Sequence, residues 1–206
     1  MTADHLGPWA PLSPEEGGRL LADCRARWWI AGGWAIDLLL GAQTRVHSDL
    51  DVLVLRSEQD AVRTHLEAWD VHAADPPGSL RPWPIGEVLP AAVHDVWCRP
   101  EPSAPWSFQL MIDAVDGDQW VFRRDHRVRR PLSTLTGRGS RPGLPVLTPE
   151  VQLLYKSGAP REGQAPRPKD DEDFDNAVGH LTDQERQWLR EALYATRPDH
   201  EWISCL

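Results

Sequence analysis

The chain has few cysteines, almost no lysine, no long apolar run and no excess of basic charge. Cys24, Cys98 and Cys205 lie far apart, and no two of them form a CxxC pair. Neither a disulfide framework nor a zinc site is indicated, so reduced thiols in structural roles are expected. No apolar stretch approaches the roughly 20 residues that a membrane span needs. Residues 1–16 are polar and show no basic start followed by an apolar stretch, so no secretory signal is expected and the cytoplasm is the expected location. The formal net charge is −9. A nucleic-acid binder usually carries a basic excess, which makes a long polyanion a poor fit as the main partner. Lys156 and Lys169 are the only lysines among 22 basic residues.

What remains is an ordinary globular composition. The 206 residues are 41% hydrophobic and 26% charged, enough for a domain with a real core. The spacing of caps and apolar residues predicts a mixed α/β core over residues 1–146 and a helical segment over 147–206. Ser13-Pro14-Glu15-Glu16 predicts a helix start, with the helix running to about residue 27, although Gly17 and Gly18 weaken its first turn. Strands are expected at 28–31, 49–55, 71–74, 92–98, 108–115 and 119–122, and helices at 34–40 and 57–69. The stretch 75–84 reads as a loop and 133–145 as an irregular linker. Thr148-Pro149-Glu150 opens a further helix, a break follows over 157–168, and helices are expected at 169–180 and 182–195.

The chemistry-bearing stretch is Gly32-Gly33-Trp34-Ala35-Ile36-Asp37, then Gly41, then Arg45-Val46-His47-Ser48-Asp49-Leu50-Asp51. A strand that ends in two glycines and passes at once into a helix leaves backbone N–H groups and the positive end of a helix dipole open to an anion. Asp49 and Asp51 are two apart in an expected strand, so both side chains face one way. Adjacent carboxylates repel unless a cation lies between them, and hard oxygen ligands suit magnesium, which also takes phosphate oxygens. The two features together describe one triphosphate–metal site. Each alone has a plainer reading: a tight turn, or a solvated strand-edge pair.

In order and spacing, Gly32, Gly33, Trp34, Asp37, Gly41, Arg45, His47, Asp49 and Asp51 resemble the signature of nucleotidyltransferases of the DNA polymerase β superfamily. The resemblance is to the lincosamide nucleotidyltransferases and the aminoglycoside 2″-adenylyltransferases. A sparser similarity continues through Trp120–Asp125, Pro145–Tyr155 and Arg167-Pro168-Lys169-Asp170 with Asp173-Phe174. The resemblance implies an α+β fold: a polymerase-β-type nucleotidyltransferase core with a mixed sheet flanked by helices, plus the C-terminal helical segment. It implies a magnesium-dependent transfer of a nucleoside monophosphate, AMP from ATP, to a hydroxyl of a small molecule such as a lincosamide or aminoglycoside. Asp49 and Asp51 would hold Mg2+.

The resemblance also implies a third carboxylate that takes the proton from the acceptor hydroxyl. Asp113 is the first choice and Asp95 the second; either could instead be a surface aspartate at a strand end. Gly32, Gly33, Arg45, His47, Lys156 and Lys169 are the candidate nucleotide contacts. His47 is as well read as a packed residue, Arg45 as a partner for Asp37, and each lysine as a surface residue. The basic cluster 123–130 reads by default as a solvated strand end or an internal ion-pair cluster, with a triphosphate contact as the alternative. Trp83, Trp97, Trp106 and Trp120 are candidates to wall an acceptor pocket by stacking, with the core as their plainer place. Related enzymes often complete their sites across an interface, which leaves room for a homodimer. The competing class is a non-catalytic nucleotide-binding or protein-interaction module, antitoxin-like, on the same fold.

Overall fold

The computed structural model describes residues 6–158 and 167–206. Its centre is a mixed sheet. Strands β1 (Trp28–Ile30), β2 (Asp51–Leu55), β3 (Asp70–Ala73), β4 (Arg81–Pro82), β5 (Asp95–Arg99) and β6 (Phe108–Asp116) lie in the order β1-β2-β6-β5-β3-β4. β2 and β6 run parallel, and every other pair on this path is antiparallel. The far end of β6 pairs with β7 (Gln119–Val121), which pairs with β8 (Arg129–Pro131). The helices among the described residues are α1 (Pro14–Leu20), α2 (Gly32–Leu40), α3 (Gln59–His65), α4 (Pro149–Lys156), α5 (Pro168–Val178) and α6 (Asp183–Thr196). This is the expected α+β class with a mixed sheet flanked by helices. None of the helices described is long and apolar enough to cross a membrane.

The alternation of side chains along β1 and β2 splits the core in two. Trp28, Ile30, Val52 and Val54 face one buried cluster, together with Val62 of α3 and Leu21 just beyond α1. Trp29, Leu53 and Leu55 face the other, together with Ile36 of α2 and residues of α4, α5 and α6, among them Leu153, Phe174 and Leu193. The second cluster therefore draws on residues from both sides of position 146. The chain at that point also extends the sheet edge: the N–H of Ile30 donates to the Pro145 carbonyl at 2.8 Å, and that of Leu147 to the Ile30 carbonyl at 2.9 Å.

Several expected elements differ in extent. α1 has the anticipated capping box, but ends at Leu20 rather than near 27. Gly17 and Gly18 weaken the helix, and packing needs them small: a Cβ at Gly17 would meet the Leu50 side chain at 2.7 Å. The carbonyl of Leu21, next after the helix, is taken by the Trp28 indole at 3.1 Å. α2 begins two residues earlier than expected, at Gly32. β4 lies in the stretch read as a loop, and β8 in the basic cluster. Most of the break expected over 157–168 lies outside the described residues.

Candidate active site

Asp51 opens β2, and its neighbours on one sheet face follow from the register. Gln109 of β6 is its cross-strand partner, and Gln109 is in turn opposite Trp97 of β5. Cross-strand partners share a face, and residues two apart on a strand do too. Asp51, Gln109 and Asp95 therefore lie on the side of the sheet that α4 covers further along. Where that cover ends, a cavity of about 430 Å³ opens. Asp49, Asp51, Asp95, Gly32, Gly33 and Gln109 line one wall, and Arg45, Arg123, Arg124, Lys156 and Lys169 bring positive charge to it.

Gly32 is tied into this wall by its conformation. It has φ +67, and a Cβ there would overlap Asp51 Oδ2 and lie 3.0 Å from Asp51 Cβ. Its N–H is not open to a phosphate, because it donates to Gln152 Oε1 at 2.8 Å. Gly33 is half-buried and lines the cavity. Its N–H lies in the first turn of α2, where no intrahelical acceptor exists, and a side chain would collide with Arg45 and His47.

Removal from solvent, and then the neighbouring Asp49, push the Asp51 carboxyl up to about 7. Lys156 and Lys169 act in the opposite direction. A pair of hard oxygen donors with this mutual repulsion fits a divalent cation. Among the described residues no three His, Cys, Asp or Glu side chains are grouped so as to hold an ion by themselves. The oxygen donors of Asp49 and Asp51 are of the kind magnesium takes, since it binds through one or two carboxylates and completes its shell with phosphate oxygens and water.

The two candidates for the third carboxylate occupy different places. Asp113 is fully buried and does not line the cavity. Its Oδ2 accepts from Trp120 Nε1 at 2.7 Å and from the Tyr155 hydroxyl at 2.5 Å. Burial raises its pKa against the pull of Arg123, Tyr155 and Trp120. Asp95 lines the cavity. Gln109 Nε2 and Arg123 Nη1 both donate to its Oδ1, each at 3.4 Å, and among the described residues nothing bonds Oδ2.

The other candidates divide. Lys169 is half-buried on the cavity wall and has no ion pair among the described residues; burial and then Arg167 lower its pKa, while Asp49 raises it. Lys156 also lines the cavity, but is held by Asp170 at 3.1 Å and Asp173 at 2.5 Å. Arg45 lines it too, with its fork on Asp173 and not on Asp37. His47 is outside. Its Nε2 is 2.6 Å from Asp37 Oδ2, both side chains are 2% exposed, and the Trp34 ring lies over it at 4.4 Å. His47 thus fastens the loop before Asp49 to α2. Leaving a buried hydrogen-bonding group without its partner costs about 1–3 kcal/mol, so His47→Ala is expected to lose that much stability in denaturant unfolding. A loss near zero would show that this contact does not hold the loop.

Arg123 and Arg124 line the cavity, whereas Arg129 pairs with Asp116 and Arg130 with Glu150. None of Trp83, Trp97, Trp106 and Trp120 reaches the cavity. Trp202 does, together with Arg197, His200 and Glu201. No motif in the sequence marks these four. Gln152 and Tyr155 fall within the quoted similarity, yet their roles depend on how α4 is set against the sheet.

Residues 18–76 match the family model described as aminoglycoside-2″-adenylyltransferase. That match contains the whole Gly32–Asp51 signature. Among solved structures, the chain resembles the lincosamide antibiotic adenylyltransferase LnuA, solved with lincomycin bound, at a TM-score of 0.53 and 15% identity, over 84% of this chain and 100% of that one. This is the nucleotidyltransferase fold. The antibiotic-resistance factor ANT(2″)-Ia aligns at a TM-score of 0.48 and 16% identity, over 89% of this chain and 94% of its own. A nucleotidyltransferase-like protein from Paracoccidioides brasiliensis aligns at 0.45 and 21%, over 92% of each. No curated protein matches the chain in sequence.

Proposed function

We propose that this chain is a magnesium-dependent nucleotidyltransferase that moves AMP from ATP to a hydroxyl of a small-molecule antibiotic, a lincosamide or an aminoglycoside. The observation that carries the reading is the meeting of Asp49, Asp51 and Asp95 with the Gly33 helix start and Lys169 on one cavity. The family match over 18–76 supports the same activity.

In this reading Asp49 and Asp51 hold Mg2+, which supplies charge neutralisation at the triphosphate. The N–H of Gly33 and the ammonium of Lys169 take phosphate oxygens, so negative charge is met by fixed donors. Asp95 Oδ2 receives the proton of the acceptor hydroxyl, and Gln109 and Arg123 hold the carboxylate by its other oxygen. The freed acceptor oxygen forms a bond to the α-phosphorus as the bond to pyrophosphate breaks. Pyrophosphate leaves with the electron pair, and AMP stays on the acceptor.

The test is calorimetric titration of a non-hydrolysable ATP analogue with and without magnesium. The wild type is expected to bind only with magnesium, and Asp49→Asn/Asp51→Asn to lose that binding. A wild type that binds no nucleoside triphosphate in magnesium would rule out this activity. With binding in hand, lincomycin and tobramycin are the first acceptors to assay.

A further inference from the structure

We infer that Asp173 is a positioning residue for the triphosphate site, acting through Arg45 and Lys156. It belongs to α5, outside the Gly32–Asp51 signature, and its side chain is 0% exposed. Arg45 Nε donates to its Oδ1 at 3.0 Å and Nη2 to its Oδ2 at 2.8 Å, a two-pronged grip. Lys156 Nζ meets Oδ2 at 2.5 Å and reaches Asp170 at 3.1 Å. One buried carboxylate thus gathers two cations from two other elements.

The geometry of that gathering bears on the nucleotide. Arg45 precedes Asp49 by four residues, and its guanidinium occupies the space beside Gly33 that a side chain would need. Lys156 ends α4 and lines the same cavity as Asp49 and Asp51. Burial alone would raise the pKa of Asp173, but the Arg45 hydrogen bonds and the Lys156 charge outweigh it and hold the carboxyl below its ordinary value. It is therefore an anion at neutral pH. A planar guanidinium gripped at two points has little freedom. Asp173 accordingly fixes the loop that delivers Asp49, and it sets Arg45 over the helix start before any ligand arrives. Without it, two half-buried cations would lose their shared partner and turn to whatever anion the cavity offers, Asp49 and Asp51 included.

This inference rests on the proposed function, and the same titration separates the two. A non-hydrolysable ATP analogue with magnesium is titrated into the wild type, Asp173→Asn and Arg45→Lys. Supporting groups of this kind change site affinity by about 10–100-fold, so both variants are expected to bind at least about tenfold more weakly. The titration reads affinity and binding-competent fraction separately. A purely structural Asp173 would lower that fraction and leave Kd at the wild-type value, which overturns the inference. Should Asp173→Asn not fold, Arg45→Lys decides the matter: it keeps the positive charge and loses the fork, and an unchanged Kd overturns the inference. No magnesium-dependent binding by the wild type overturns the transfer reading as well.

Discussion

Asp95→Asn is expected to lower kcat by about 10²–10⁴-fold, the usual contribution of a positioned base. Its effect on nucleotide affinity is expected to be small, because the amide keeps the oxygen that Gln109 and Arg123 hold. Asp113→Asn should behave in the opposite way. Asp113 Oδ2 accepts two hydrogen bonds, and Oδ1 is buried with no partner among the described residues. An amide that keeps its oxygen toward Trp120 and Tyr155 must bury its NH2 unpaired. That costs about 1–3 kcal/mol of stability and leaves the reacting atoms alone. The assay uses the antibiotic acceptor that the wild type turns over, with thermal melting alongside. If Asp113→Asn lost turnover while melting as the wild type does, and Asp95→Asn did not, the base would be Asp113 after all.

Asp95 and Asp113 differ in where sheet register places them. Asp51, Leu53 and Leu55 point to one face of β2, and their partners Gln109, Met111 and Asp113 share it. Asp113 is therefore on the correct face. It is level with Leu55, however, four residues or about 13 Å along the strand from Asp51. There α4 covers it with Tyr155. Asp95 is opposite Met111, two residues closer, and lines the cavity. Facing can be read from alternation, but level cannot, because pairing between distant strands leaves no local mark. The signature from Gly32 to Asp51 was legible because its spacing carries the strand, turn and helix start within twenty residues. The helix cap at Ser13 was legible for the same local reason. Arg45 shows the limit: its pairing with Asp173 spans 128 residues and depends on how α5 docks. The same holds for Arg197, His200, Glu201 and Trp202, which line the cavity where Trp202 stacks on Phe174 at 4.1 Å and bonds Asp171.

Gly32→Ala is expected to abolish magnesium-dependent nucleotide binding, while Gly41→Ala is expected to spare it. The two positions share a backbone problem. Gly32 has φ +67 and Gly41 has φ +72, a region that costs an L-residue with a side chain about 1–2 kcal/mol. Both variants should therefore melt at lower temperature by similar amounts on that ground. They differ in what surrounds the added methyl. At Gly41, the left-handed cap of α2, nothing lies within 4 Å. At Gly32 the methyl would occupy the place of the Asp51 carboxylate. Either Asp51 rotates away from Asp49, or Gly32 shifts and breaks its bond to Gln152, which also moves the Gly33 donor. Displacements of about 1 Å at a reacting centre cost on the order of 10²-fold, and here metal ligand and phosphate donor would be displaced together. Calorimetry with the ATP analogue and melting of both variants separate the two costs. Equal affinity losses at Gly32 and Gly41 would mean that backbone conformation alone matters. Retained binding in Gly32→Ala would mean that Asp51 is not held where the metal needs it.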